Sequence, residues 1–480
     1  ESRKQWSTAK KFTQKALRLT ELNSYPDGRY RWEWQLGRVL TQQGQKNEAI
    51  QVYQAAVKTL DSVRADLRFF NAEVQFSFRD NVEPVYRELV TLLVSIDEDM
   101  PEPRQENLAQ AIEQIDKLQL SELENFLQCS LAQTTAINQF EADTNTAILY
   151  PMILDDRLIV ILQLSDGQRK FSAVRIPHAE VETTLQQLRS DLSATNRTPK
   201  VIKTAKTVYQ WLIEPFESEL QAQSQIDTLV FVLDGALRNI PMAVLHDGEG
   251  YLIEKYAIAI APELELFTPS PLPADLKVFT GGVGTPQEIE GLSFSEIKKL
   301  DEELQEVSKL VGSQPPVINQ EFNRATLQEQ LGMGSFSGIH IKTHGVFSSD
   351  PDATFIVAHG ELLRGQQLGD LIQAASLQGD TPIELLVLSS CSTATGDDRA
   401  VLGLAGIAVQ SGARSTLSTL WDAQDEPNTQ LMIRFYQELK EEPGLTRAQA
   451  LQRAQLALKN EIGYLAPHIW ATYVLVGNWL

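Results

Sequence analysis

Cysteine is scarce in this sequence: Cys129 and Cys391 are the only two in 480 residues. That excludes a disulfide framework and the small secreted scaffolds that depend on one; a reducing, cytoplasmic setting is expected. Positive charge is also short, with 42 Lys and Arg against 63 Asp and Glu and a formal net charge of −21. A nucleic-acid binder normally shows a basic face, so no direct nucleic-acid partner is expected, nor adhesion to anionic membranes. Apolar runs never reach the roughly 18 residues of a membrane span. The chain opens at Glu1 without an initiating Met and without a signal-type segment, so residues upstream are left open. At this length roughly two to four domains with ample core are expected.

What the chain does carry is a change of hydrophobic period. Ala9, Thr13 and Ala16 share one helix face, and Ala49, Tyr53 and Ala56 repeat that spacing. Before the second set lie Leu36-Gly37, Leu40 and Gly44, close to Trp32 and Trp34. This is the small-large-small pattern of a tetratricopeptide repeat, with Gly44 near the turn between its helices. The two sets stand 40 residues apart, and the surplus over the usual repeat fits a loop around Asn23-Ser24-Tyr25-Pro26-Asp27-Gly28. About one and a half repeats are visible, fewer than an isolated solenoid needs. Either more repeats lie upstream, or these helices dock onto the next domain; a plain helical hairpin is the simpler alternative. Val85, Leu89, Leu92 and Leu93 continue the helical pattern, and another amphipathic helix is expected over 107–127, with Pro101 and Pro103 between them.

From Ala147 strands alternate with helices. Residues 147–154 and 157–162 flank Asp155-Asp156 as a hairpin. Helices are expected over 180–190 and 204–214, and a buried strand over 228–233 closes at Asp234-Gly235. A strand over 278–282, a helix over 296–311, strands opening at Ile339 and Leu385, a helix from near Val401 and a strand over 415–420 complete the pattern. Alternation of this kind implies a mostly parallel sheet covered by helices. Gly281-Gly282-Val283-Gly284 lacks both the GxGxxG order and a Gly-Lys-Ser/Thr ending, so a turn is expected there and not a phosphate loop.

Two of the apolar runs stop at reactive side chains. Ile339-His340-Ile341 leads to Thr343-His344-Gly345, and Leu385-Leu386-Val387-Leu388 leads to Cys391. Active sites of open α/β sheets form at the carboxyl ends of strands. A cysteine attacks as thiolate, and an imidazole in reach can take its proton and later protonate the leaving amine. A glycine beside the base permits close approach of a substrate, and its N–H can help hold an oxyanion. A free cysteine is most often a small buried hydrophobe; the matching strand end at His344-Gly345 favours the nucleophile. His340 stands four residues before His344, a spacing that suits metal ligation. No third or fourth ligand stands nearby, so no metal and no cofactor are expected, and His340 is read as a core residue or a neighbour of the site. His178, His246, His359 and His468 carry no accompanying motif and are read as surface or packing residues.

These segments together resemble the CHAT family, caspase-like peptidase domains found with tetratricopeptide repeats. The resemblance runs from about Phe78 to Leu480. It is carried by Val232-Leu233-Asp234-Gly235-Ala236-Leu237-Arg238-Asn239-Ile240-Pro241, Tyr251-Leu252-Ile253-Glu254-Lys255-Tyr256, His340-Ile341-Lys342-Thr343-His344-Gly345, Leu388-Ser389-Ser390-Cys391, Leu402-Gly403-Leu404-Ala405, Ser418-Thr419-Leu420-Trp421-Asp422 and Trp470-Ala471-Thr472-Tyr473-Val474-Leu475-Val476-Gly477. It implies an α/β caspase-like fold, a mostly parallel sheet flanked by helices, preceded by an all-α tetratricopeptide-like region. The implied regions are 1–78 for the repeats, 79–146 for a helical connector, 147–270 for a degenerate caspase-like half and 271–480 for the active half. It also implies His344 and Cys391 as a catalytic dyad, with an oxyanion site from the N–H groups of Gly345 and Cys391. The activity implied is that of a cysteine endopeptidase acting on a protein substrate, with the helical repeats binding a regulatory protein or restraining the peptidase.

Leu420-Trp421-Asp422-Ala423-Gln424-Asp425 is similar to separases, which cut after arginine. Asp422 or Asp425 in the first substrate pocket would pair with a guanidinium; the alternative is that Asp422 caps a helix starting near Glu426. Asp350, Asp352, Asp397 and Asp398 lie just beyond the two strand ends, where they would make an acidic rim around the site or, on the simpler reading, are solvated loop charges; the ordered spacing of a calcium loop is absent. A catalytically silent scaffold acting through protein contacts is the competing function. An α/β hydrolase would want a G-x-S-x-G elbow at a strand end, and none occurs there.

Overall fold

The change of period divides the chain into two units, Glu1–Ala132 and Gln133–Leu480. The computed structural model describes residues 5–480 apart from 23–25, 68–77, 79, 97–101, 128–144, 195–196, 263–268, 335, 349, 379–381, 394–405, 408–410, 423 and 462. Cys129, Asp397, Asp398, the helix expected near Val401 and the Leu402-Gly403-Leu404-Ala405 motif lie outside the described residues.

The first unit is helical: α1 (Trp6–Leu22), α2 (Pro26–Gln42), α3 (Lys46–Leu67), α4 (Glu83–Leu93) and α5 (Gln105–Leu127). The loop expected around residues 23–28 is shorter than expected, because Pro26 already opens α2; proline at a first helical position has a preset φ and no N–H to waste. Gly37 lets α2 lie against α3, since a Cβ there would stand 2.6 Å from the Tyr53 ring. Gly44 closes α2 at φ 73°, the left-handed turn that glycine adopts without strain. Tyr53 Oη and Trp34 Nε1 both donate to Glu88 Oε2, at 2.6 and 2.7 Å, so a carboxylate ties α2 and α3 to α4.

The second unit is built on one sheet. Its strands are β1 (Thr146–Ile153), β2 (Leu158–Gln163), β3 (Arg169–Val174), β4 (Thr228–Phe231), β5 (Ala257–Ile260), β6 (Val278–Gly282), β9 (Val317–Ile318), β10 (Gly338–Phe347), β11 (Phe355–Ala358), β12 (Glu361–Arg364), β13 (Leu385–Thr393), β14 (Ser415–Thr419) and β15 (Tyr473–Gly477). A small hairpin of β7 (Gln287–Ile289) and β8 (Leu292–Phe294) stands apart. The sheet order is β12-β11-β10-β13-β14-β15-β5-β4-β1-β2-β3, with β6 beside the first part of β10 and β9 beside β6. The pairs β6–β10, β10–β13, β13–β14, β15–β5, β5–β4 and β4–β1 are parallel, and the antiparallel pairs gather mainly toward the edges. Helices flank it: α6 (His178–Leu192), α7 (Thr198–Leu212), α8 (Glu217–Ala222), α9 (Leu300–Leu310), α10 (Arg324–Met333), α11 (Gly365–Gln378), α12 (Asp425–Glu441), α13 (Arg447–Lys459) and α14 (Pro467–Trp470).

Several expected boundaries shift. The β1–β2 hairpin is present, but β3 extends it. Its half-buried residues, with Arg169 and Lys170 at its start, lack the apolar signature of a buried strand. The helix expected from 296 begins only at Leu300, after Lys299 turns the chain at φ 63°. The strand expected over 278–282 is β6 with those bounds, so Gly281 and Gly282 end the strand and the turn expected at 281–284 begins only after them. A Cβ on Gly282 would stand 1.9 Å from the Lys342 carbonyl oxygen, and one on Gly281 2.9 Å from that of Val317. The glycines are there because the backbones of β9, β6 and β10 crowd together at that point.

Candidate functional site

Because β10 and β13 are parallel neighbours, their carboxyl ends leave the sheet on the same edge. His340 pairs with Val387, Ile341 with Leu388 and Lys342 with Ser389; the register then slips and resumes at Gly345 opposite Cys391. Two residues of β10, Thr343 and His344, therefore oppose one of β13. Such a bulge bends its strand and re-aims side chains. Thr343 turns inward, its Oγ1 donating to the Val357 carbonyl at 2.7 Å. His344 is half-buried, with Nε2 2.9 Å from the Ser295 carbonyl oxygen and its ring 5.9 Å from that of Phe294. A carbonyl oxygen can only accept, so Nε2 is the donor in this contact.

For Cys391 the backbone is described and the side chain is not. The ladder sets its Cα beside Gly345, one residue from His344. Three of the residues singled out in the sequence, His344, Gly345 and Cys391, thus meet at one edge of the sheet. Gly345 has strand neighbours on both sides, Ile356 and Cys391.

Beneath His344 on the same strand lies a cluster that the sequence did not reveal. His340 and Lys342 are completely buried, and so is Glu303 on α9. Glu303 Oε1 faces His340 Nε2 at 3.0 Å, while Oε2 accepts from Lys342 Nζ and, at 3.0 Å, from Thr429 Oγ1. His340 Nδ1 lies 3.2 Å from Tyr436 Oη on α12. Burial opposes the charge on Glu303, yet Lys342 and then His340 override it and hold the carboxyl well below the usual range. Burial, with the Glu303 charge adding to it, pushes the Tyr436 phenol up. The available signal was Lys342 itself: a lysine inside an apolar strand requires a buried anion.

The two acids of the 420–425 segment separate. Helix α12 starts at Asp425 with Gln424 as its cap and no side-chain capping bond, so Asp422 does not cap it; Asp422 is exposed just past β14. The neighbouring Trp421 is pinned, its Nε1 donating to the His468 carbonyl at 3.1 Å and its ring 4.8 Å from the Arg189 guanidinium. Asp425 Oδ2 accepts from the Lys298 N–H at 2.8 Å. Asp350 and Asp352 share a loop in which Asp350 Oδ1 accepts from the Asp352 N–H at 3.0 Å. Among the described residues no group of three or more His, Cys, Asp and Glu is placed to hold a metal ion. No described helix is long and apolar enough to cross a membrane.

The fold has relatives among solved structures. One structure of the Saccharomyces cerevisiae separase–securin complex superposes with a TM-score of 0.50 at 10% identity, over 90% of this chain and 37% of the matched chain. A second structure of that complex gives 0.46 at 10% identity, over 97% and 48%. The complex of the pro- and mature domains of Porphyromonas gingivalis RgpB gives 0.35 at 9% identity, over 62% and 76%. The chain therefore spans less than half of the matched separase–securin chains. No curated protein matches the sequence. The CHAT domain matches residues 203–478, more than half of the chain and all of the strands that carry His344 and Cys391. On that match, and with a mostly parallel, helix-flanked sheet of caspase-like type, the chain belongs to the CHAT domain family.

Proposed function

We propose that this protein is a cysteine endopeptidase with Cys391 as nucleophile and His344 as base. The observation that carries the reading is the register of β10 and β13, which sets Cys391 beside Gly345, next to a bulge that carries His344 with Nε2 on the Ser295 carbonyl. Nδ1 takes the thiol proton, and the thiolate attacks the scissile carbonyl carbon. The oxyanion is held by backbone N–H groups of Cys391 and Gly345; for Gly345 that role requires an N–H not spent on either neighbouring strand. The imidazolium then gives its proton to the leaving amine, and water, deprotonated by the same ring, hydrolyses the thioester.

Asp422 stands off the end of β14, which is parallel to β13, and so lies along the same edge as Cys391. We assign it to the first substrate pocket, where its charge would favour a basic residue before the cleaved bond. The substrate is a protein, acted on in a reducing, cytoplasmic setting. The helical region recruits a partner or restrains the peptidase, residues 147–270 serve as a non-catalytic half, and residues 271–480 carry the chemistry.

A thiol-reactive peptide probe combined with mass mapping tests the dyad. Labelling is expected at Cys391, lost in Cys391→Ala and strongly reduced in His344→Ala. Cleavage of a responsive peptide is expected to fall on the order of 10⁴-fold or more in either variant. Full cleavage by Cys391→Ala, or labelling indifferent to His344, would return the chain to a scaffold role.

A further inference from the structure

The assignment of Asp425 is different, and it rests on His344 being the base. Residues 284–299 form a strap at the site edge that contains the β7–β8 hairpin and is tied down at both ends. At its entry, Asn319 Oδ1 accepts from the N–H groups of Gly284 and Thr285 at 3.0 and 3.2 Å, and the Gly284 carbonyl accepts from Ile297 N–H at 3.0 Å. At its exit, Lys298 N–H donates to Asp425 Oδ2 at 2.8 Å. Between these ties the Ser295 carbonyl meets His344 Nε2. Lys299, a residue with a Cβ, is held at φ 63° directly after the tie. Such a conformation persists only where its surroundings over-determine it.

The helix carrying Asp425 explains its aim. Asp425, Thr429 and Tyr436 follow at spacings of four and seven along α12 and so lie on one face. Thr429 and Tyr436 on that face bind Glu303 and His340 in the buried cluster. Asp425 is the outer end of the same clamp.

We propose that Asp425 is a positioning residue for His344, acting through Lys298 and the Ser295 carbonyl rather than on substrate. By holding the Lys298 amide it keeps that carbonyl on Nε2, which keeps the hydrogen there and the lone pair on Nδ1.

Two-bond proton–nitrogen spectra of the histidine rings read this directly, with His344 assigned by its loss in His344→Gln. The wild-type ring is expected in the Nε2–H form. Asp425→Ala shifts it toward a mixture, while Asp425→Asn, whose amide oxygen still accepts from Lys298, keeps the wild-type pattern. Lys298→Pro deletes the donor without touching α12 and gives the same change as Asp425→Ala. Asp422→Ala leaves the His344 ring signals as they are. Unchanged ring signals in both Asp425→Ala and Lys298→Pro overturn the proposal, whatever the cleavage activity. Wild-type protein that cleaves nothing overturns the peptidase reading while the ring spectra still decide this one. With a cleavable peptide, Asp425→Ala lowers kcat about 10–100-fold, KM and residue preference staying put; a raised KM with altered preference places Asp425 in the substrate pocket and overturns it.

Discussion

Two pairs of parallel strands, β1–β4 and β10–β13, finish their carboxyl ends in opposite ways. In the first pair β4 runs on toward Asp234, and its parallel neighbour β1 ends at Ile153. Asp234 is buried, and its Oδ2 accepts from Ile153 N–H at 2.9 Å; Arg238 Nε closes back on the Leu233 carbonyl at 2.9 Å. That edge is sealed by its own side chains. In the β10–β13 pair the carboxyl ends carry a bulge, a half-exposed imidazole and the Cys391 backbone. Its charged groups, Glu303 and Lys342, sit deeper and neutralise each other below the surface. A strand end becomes a site where its polar groups are left for a substrate, and scaffold where they satisfy one another.

This contrast can be broken at the deep cluster first. Lys342→Met leaves Glu303 buried without its cation and is expected to cost about 3–5 kcal/mol in urea unfolding. Adding Glu303→Leu should recover part of that loss, because the stranded charge goes with it; no recovery would mean that Lys342 matters for packing alone. A smaller effect is expected at the sealed edge. Asp234→Ala removes the acceptor of Ile153 N–H at a cost of about 1–3 kcal/mol, with probe labelling of Cys391 unchanged in the folded protein. Altered labelling would show that the closed edge acts on the open one.

The last test reads the shape of the acid limb and not the size of the loss. The Glu303 carboxyl is held below its ordinary value, so the folded protein releases that proton more readily than the unfolded chain. Its stabilisation is fully present above the unfolded pKa of about 4.3 and is lost as pH falls through the lower folded value. Glu303→Gln should therefore flatten the acid limb of a stability-versus-pH curve, and an unchanged limb would assign that limb to other carboxylates.

Much of this architecture was readable before folding. Apolar runs at 228–233, 339–341 and 385–388 announced strands because parallel strands are buried on both faces and need no alternation. The endings at His344-Gly345 and Cys391 marked one edge because a parallel sheet brings carboxyl ends together. What was not readable is what period and composition do not encode. Strand β3 has no apolar signature, and nothing local in Gly282 tells that the Lys342 carbonyl oxygen stands 1.9 Å from its missing Cβ. Asp422 and Asp425 are three residues apart and alike in sequence, yet one is exposed past β14 and the other binds the Lys298 amide.

The sequence by itself determined the order of elements, the helical and α/β division and the residue types at the two strand ends, since these follow from local hydrophobic period and side-chain chemistry. Only the tertiary structure decided the register of β10 on β13, the bulge that turns His344 outward, the carbonyl that sets its hydrogen on Nε2 and the anion that neutralises Lys342. Each of those depends on a partner distant along the chain, Ser295 for His344 and Glu303 for Lys342, and chain distance carries no local signal.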